Sequence, residues 1–148
     1  MNQPGDSSPI FERIVGDHAN LRDLLGEMHR IVVGRSETVD NVVKSVNTLI
    51  DFLRQHFKRE EDDGFFGEIA ARAPRLSERA EDVSREHIEL LAAIESFRDT
   101  ALGGTATGAW WERLNSEFHR LMKDLMHHER REQDLLQEAF NVDIGTAD

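Results

Sequence analysis

Four stretches of this chain place apolar residues three and four positions apart, the spacing that gathers side chains on one face of an α-helix. Phe11, Ile14, His18, Leu21, Leu25, Met28 and Val32 make the first seam, and Val39, Val42, Val46, Leu49, Leu53, His56 and Glu60 the second. Ala80, Val83, His87, Leu90, Ile94 and Phe97 make the third. The fourth is the longest, from Trp111 through Leu114, Phe118, Leu121, Leu125, His128, Glu132 and Leu135 to Ala139. Ser8-Pro9 offers the first helix a cap and a proline in its first position, and Gly34 offers it a stop. Gly16 and Gly26 each weaken that helix by about 1 kcal/mol relative to alanine, so packing must hold it. Ser36 and Ser77 are expected to cap the second and third helices, and residues 100–108, with Gly103-Gly104, read as a turn. Residues 64–74 are the least regular segment; Phe65, Phe66 and Ile69 are apolar enough to fold back over one end of a bundle.

The pattern predicts an all-α protein, an up-down-up-down antiparallel four-helix bundle over residues 9–140. Residues 1–8 are expected to be a flexible polar N-terminus and residues 141–148 an acidic tail. A length of 148 residues suits one domain with a real core. The formal charge of -11 argues against nucleic acid or an anionic membrane as partner. No apolar run approaches a membrane span, and the first residues lack the basic and apolar parts of a signal peptide, so the expectation is a cytoplasmic protein. There are no cysteines, which removes disulfides, thiolate zinc sites, iron–sulfur clusters and cysteine nucleophiles. No strand–glycine–helix unit suggests a nucleotide.

What changes the picture is polar residues where the seams demand core. His18, His56, His87 and His128 occupy one seam position each, and Glu60 and Glu132 follow one turn after His56 and His128. His18 and His87 lie near the starts of their helices and His56 and His128 near the ends. In an antiparallel bundle all four therefore fall at one level. A single seam histidine is ordinarily packed core. Four at matched depth with two glutamates would be several buried polar groups, each costing on the order of 1–3 kcal/mol if unpaired. Six inward ligands suit two metals, with both carboxylates bridging, two imidazoles per metal, and coordination positions left for a small ligand. Histidine with carboxylate favours iron or manganese, and zinc also accepts these ligands. Met28 and Met122 have ordinary core or flank spacing and do not point to copper. His29, His119 and His127 fall away from this level or off the seam. Glu61 and Glu129 flank the ligands and read as solvated helix-face acids, with ligand orientation the alternative.

The ordered set His18, His56-Phe-Lys-Arg-Glu60, His87 and His128-Glu-Arg-Arg-Glu132 resembles the hemerythrin-like, HHE cation-binding domain family over residues 10–140. The resemblance implies a bundle around a non-haem di-iron centre, with two iron ions ahead of manganese or zinc, that binds or reacts with oxygen, peroxide or nitric oxide, or senses iron and oxygen. Two positions depart from the oxygen carriers of that family. Leu91 stands where they have a second histidine four residues after the third-helix ligand, and Gln133 where they have an aspartate. One metal then loses a histidine, which tells against reversible oxygen carriage. The family's iron–sulfur repair branch shares the ligand pattern and adds a cysteine-bearing N-terminal region, and this sequence has no cysteine. Ferritin-like centres need Glu-x-x-His and zinc proteases His-Glu-x-x-His; neither occurs.

The function expected is a metal-binding protein whose partner is a small diatomic or peroxide ligand, whether it turns that ligand over or only binds it. A non-enzymatic sensor or metal-responsive interaction module is the alternative, with residues 64–74 and the acidic tail facing a partner. Iron buffering ranks third, because two metals per chain make a poor store.

Overall fold

The computed structural model describes residues 9–62 and 64–140, and among them it contains helices and no strand. The four expected long helices are α1 (Pro9–Gly34), α2 (Val39–Asp62), α4 (Ser77–Leu102) and α5 (Gly108–Phe140). They pack in the cyclic order α1, α2, α4, α5, as the short connections require of an up-and-down bundle. The expected flexible N-terminus, with its Ser8 cap, and the acidic tail lie outside the described residues.

Helix boundaries differ from expectation where local chemistry competes. Thr38, not Ser36, caps α2: its Oγ1 accepts from Asn41 N at 3.1 Å. Ser77 is no cap either. It is the first residue of α4, and the residue before it, Leu76, makes no side-chain cap hydrogen bond. The chain enters α4 instead through a 3₁₀ turn, Pro74–Leu76, whose Leu76 side chain is buried. α1 does end at Gly34, but Arg35 takes the left-handed backbone, with φ 53°. The turn expected from residue 100 is shorter, because α4 runs on to Leu102. Gly104 is required there, since a Cβ on it would lie 2.5 Å from Cδ1 of Trp110, whose indole N–H donates to Ala101 O.

The segment after α2 is more regular than its sequence suggests. Gly64, at φ 89°, reverses the chain, and Phe65–Arg72 forms a short helix, α3. As expected it folds over one end of the bundle, burying Phe65 and Ile69. With them sit Phe11, Ile14, Leu76, Ala80, Val83, Leu135 and Leu136, an apolar end cluster. The main cluster, from Leu21 and Leu53 to Trp110 and Phe118, fills the rest of the bundle. Between the two clusters lies a polar layer.

Candidate metal centre

The seam positions that interrupt the apolar pattern meet in this layer. His18 of α1, His56 and Glu60 of α2, His87 of α4, and His128 and Glu132 of α5 are each at most 3 % exposed. Such burial of six polar residues demands a compensating partner. The two glutamates occupy the middle and divide their oxygens. Glu60 Oε2 and Glu132 Oε1 face the His18/His56 pair, with His56 Nε2 3.4 Å from the first and His18 Nε2 3.0 Å from the second. Glu60 Oε1 and Glu132 Oε2 face the other pair, 3.1 Å from His87 Nε2 and 3.3 Å from His128 Nε2.

Two four-residue groups result, His18, His56, Glu60 and Glu132, and Glu60, His87, His128 and Glu132. Within each, one ligand atom per residue lies within 4.8 Å of all the others. Several of the same atoms have no hydrogen-bond partner: both oxygens of Glu60, Oε2 of Glu132, and Nε2 of His87 and His128. Orphaned, buried and converging, they could hold a metal ion in either group.

Electrostatics without a metal point the same way. Burial, then the adjacent Glu132, pushes the Glu60 carboxyl well above its ordinary value. Burial also works against ionising Glu132, but the four imidazoles gathered around it, of His128, His18, His56 and His87, outweigh it and hold this carboxyl well below. The two carboxyls are thus driven in opposite directions, and a cation between them would favour the charged form of both.

Four further acids stand beside the imidazoles, three of them within hydrogen-bond distance of an Nδ1. Asp17 Oδ2 lies 3.0 Å from His56 Nδ1 and accepts from Arg59 at 2.9 and 2.7 Å. Glu61 Oε2 lies 3.2 Å from His87 Nδ1. Glu86 Oε1 lies 2.8 Å from His128 Nδ1, and its other oxygen pairs with Arg131. Glu129 Oε1, bound by Arg22 at 2.8 Å, approaches His18 Nδ1 to 3.8 Å, an ion-pair rather than hydrogen-bond distance. An acid accepting the Nδ1 proton leaves the Nε2 lone pair pointing inward, as a metal needs. The arrangement is cyclic: each long helix lends an acid to the histidine of the next, α1 to α2, α2 to α4, α4 to α5 and α5 to α1. Burial opposes charge on the Asp17–His56 pair. Even so, the His56 and Arg59 hydrogen bonds hold Asp17 below its ordinary value, and Asp17 and Glu132 hold His56 above its own.

All six residues singled out in the sequence are brought together. The reading of Glu61 and Glu129 as merely solvated is corrected: Glu129 is 4 % exposed, and Glu61, though half-exposed, orients His87. Asp17 and Glu86 were not singled out at all, and neither was Phe57. Its ring stacks on His87 at 3.9 Å between centroids and meets His128 edge-on at 5.6 Å. Adjacency was the available signal, since each of these side chains is one residue from a seam histidine or glutamate. His29, His119 and His127 are exposed and away from the centre, with His29 and His119 packed edge-to-face on the surface.

Among the described residues no helix is long and apolar enough to cross a membrane. No curated protein and no solved structure matches the chain in comparisons of either kind. The model of one family does, that of the hemerythrin HHE cation binding domain, over residues 10–140, the span that carries all six buried residues. With its helices, its histidines and its two shared glutamates accounted for, the chain belongs to the hemerythrin HHE cation-binding domain family.

Proposed function

We propose that the protein holds two iron ions, one between His18 and His56 and one between His87 and His128, with Glu60 and Glu132 each giving an oxygen to both. The observation that carries this reading is the division of the two carboxylates between two histidine pairs, with orphaned atoms turned inward. Two imidazoles and two carboxylate oxygens leave each ion short of six ligands, so a small molecule has room to bind. A pair of irons so held supplies redox chemistry toward oxygen, peroxide or nitric oxide. The chain contributes the surroundings. Leu21, Leu53, Leu90 and Leu125 wall the layer on the main-core side, and Phe57 covers His87, which keeps bulk water from the centre. Asp17, Glu61 and Glu86 hold the imidazoles of His56, His87 and His128 in the binding tautomer.

Elemental analysis of protein loaded and purified without oxygen tests the first half; about two irons per chain is expected. His56→Ala and Glu60→Ala should each lower that content, and His119→Ala should leave it alone. Rapid mixing of the reduced protein with oxygen, peroxide and nitric oxide tests the second half. No absorbance change with any of them would end the small-molecule reading, and full metal in both variants would end the site assignment.

A metal-responsive module is the second reading, favoured by one observation: the polar layer separates the α3 end cluster from the main core. Metal binding there is also folding energy, so occupancy would order the end that α3 covers. Equal proteolysis of metal-free and loaded protein would count against it.

A further inference from the structure

We propose that the cleft between α4 and α5 is the path by which a divalent cation reaches the buried centre, with Glu89 and Asp124 collecting the ion at its rim. The proposal rests on the metal-holding reading above. The cleft, of about 240 Å³, opens to solvent on one side and is bounded inside by His128. That histidine is 3 % exposed; it lines the cleft and also carries its Nε2 3.3 Å from Glu132 Oε2 in the centre. Glu89, Asp124 and His127 form the rim; all three are exposed, and none engages in an ion pair or side-chain hydrogen bond among the described residues. Glu86, deeper in, is neutralised by Arg131 and bonded to His128. Lys123 and Arg130 line a neighbouring depression that shares Asp124 and His127, and Arg120 another that shares Asp124, so the basic groups stand beside this cleft and not in its wall.

Unpaired carboxylates on a concave, low-dielectric wall concentrate cations and speed their capture. Six waters at about 30 Å³ each make a hydrated cation of roughly 180 Å³, which the cleft accommodates. An ion meets the two carboxylates and the His127 imidazole at the rim and His128 inside, so waters can be exchanged for protein ligands a few at a time. The other histidines are covered at the same level. His56 lies behind Asp17, Arg59 and the stacked ring of Phe52, His87 beneath Phe57 and Phe66, and His18 behind the Arg22–Glu129 pair.

The test is the rate at which the metal-free full chain takes up cobalt(II), followed by its visible absorption after rapid mixing at low ionic strength. Glu89→Gln with Asp124→Asn removes both rim charges. Asp23→Asn with Asp51→Asn removes the same charge from exposed positions on α1 and α2. The cleft variant should load about fivefold more slowly or worse, reach the same final cobalt content, and approach the wild type as salt screens the rim. The control pair should load at the wild-type rate. Equal slowing by both pairs would assign the effect to overall charge and overturn the path, as would no slowing by either. A wild type that takes up no cobalt would overturn the metal-holding reading itself, whereas full loading with an indifferent cleft variant overturns the path alone.

Discussion

The main apolar cluster draws side chains from all four long helices, while the end cluster beneath α3 draws none from α2. The last turns of α2 reach that end carrying Glu60 and Glu61, and the chain then reverses at Gly64. α2 is joined to the end cluster through α3 and through the polar layer, not through a hydrophobic stripe of its own. The main cluster is thus a complete helix–helix core, which needs nothing but burial. The end cluster is smaller and is separated from it by six buried polar residues whose unpaired atoms cost on the order of 1–3 kcal/mol each until something binds them. Two apolar regions of one bundle should therefore depend differently on the metal.

Removing the metal should expose that difference most. Stripping an ion that was present at a thousandfold its dissociation constant costs about 4 kcal/mol per site. The loss should fall on the end cluster: amides of residues 65–76 and the last two turns of α5 should exchange at least tenfold faster, while those near Leu49, Ile94 and Phe118 keep their protection. Uniform loosening of the whole bundle would erase the distinction. A matched pair of substitutions comes next. Ile69→Ala and Ile94→Ala each remove a fully buried isoleucine and should each cost about 2–5 kcal/mol in loaded protein. In metal-free protein Ile94→Ala should keep its penalty and Ile69→Ala should lose most of its own, read by denaturant unfolding of both forms.

A smaller effect separates the charged pair beside the centre from both clusters. In metal-free protein Asp17, held below its ordinary value, contributes stability that is complete above about pH 3.9 and lost as pH falls through its folded value. His56, held above its ordinary value, contributes stability that is complete below about pH 6.5 and lost as pH rises through its folded value. Asp17→Asn should flatten both limbs and lower stability between them by roughly 1.5 kcal/mol, measured as melting temperature against pH. The smallest effect is expected farthest from the metal. Thr38→Ala removes the α2 cap at the opposite end of the bundle and should cost about 1 kcal/mol equally with and without metal.

The six central residues were legible because a histidine or glutamate on an apolar seam contradicts its neighbours, and helical periodicity shows the contradiction directly. Asp17, Glu61, Glu86 and Glu129 were not legible in that way. One residue off a seam, an acid looks like any solvated residue on a helix face, and only the adjacent helix reveals that it faces an imidazole. Phe57 was hidden similarly, one position past His56. The caps at Ser36 and Ser77 were misplaced for another reason. Serine is an eligible cap at either position, but Thr38 closes a better hydrogen bond at the start of α2, and burial of Leu76 draws the chain into α4 through a 3₁₀ turn.

The ring of acids also carries information about handedness. On α1 and α4, which run one way, the acid comes one residue before the histidine, as in Asp17-His18 and Glu86-His87. On α2 and α5, which run the other way, it comes one residue after a central side chain, as in Glu60-Glu61 and His128-Glu129. One residue is about 100° of helical rotation. Reversing both the step and the direction of the helix preserves the sense of that rotation for a viewer at one end. All four acids are therefore turned the same way around the bundle, each toward the helix that follows. In a bundle with the mirror-image order of helices, each would point at the wrong neighbour. The alternation of one-before and one-after, which says nothing about how many helices there are or where they begin, distinguishes a left-turning from a right-turning arrangement of the same four.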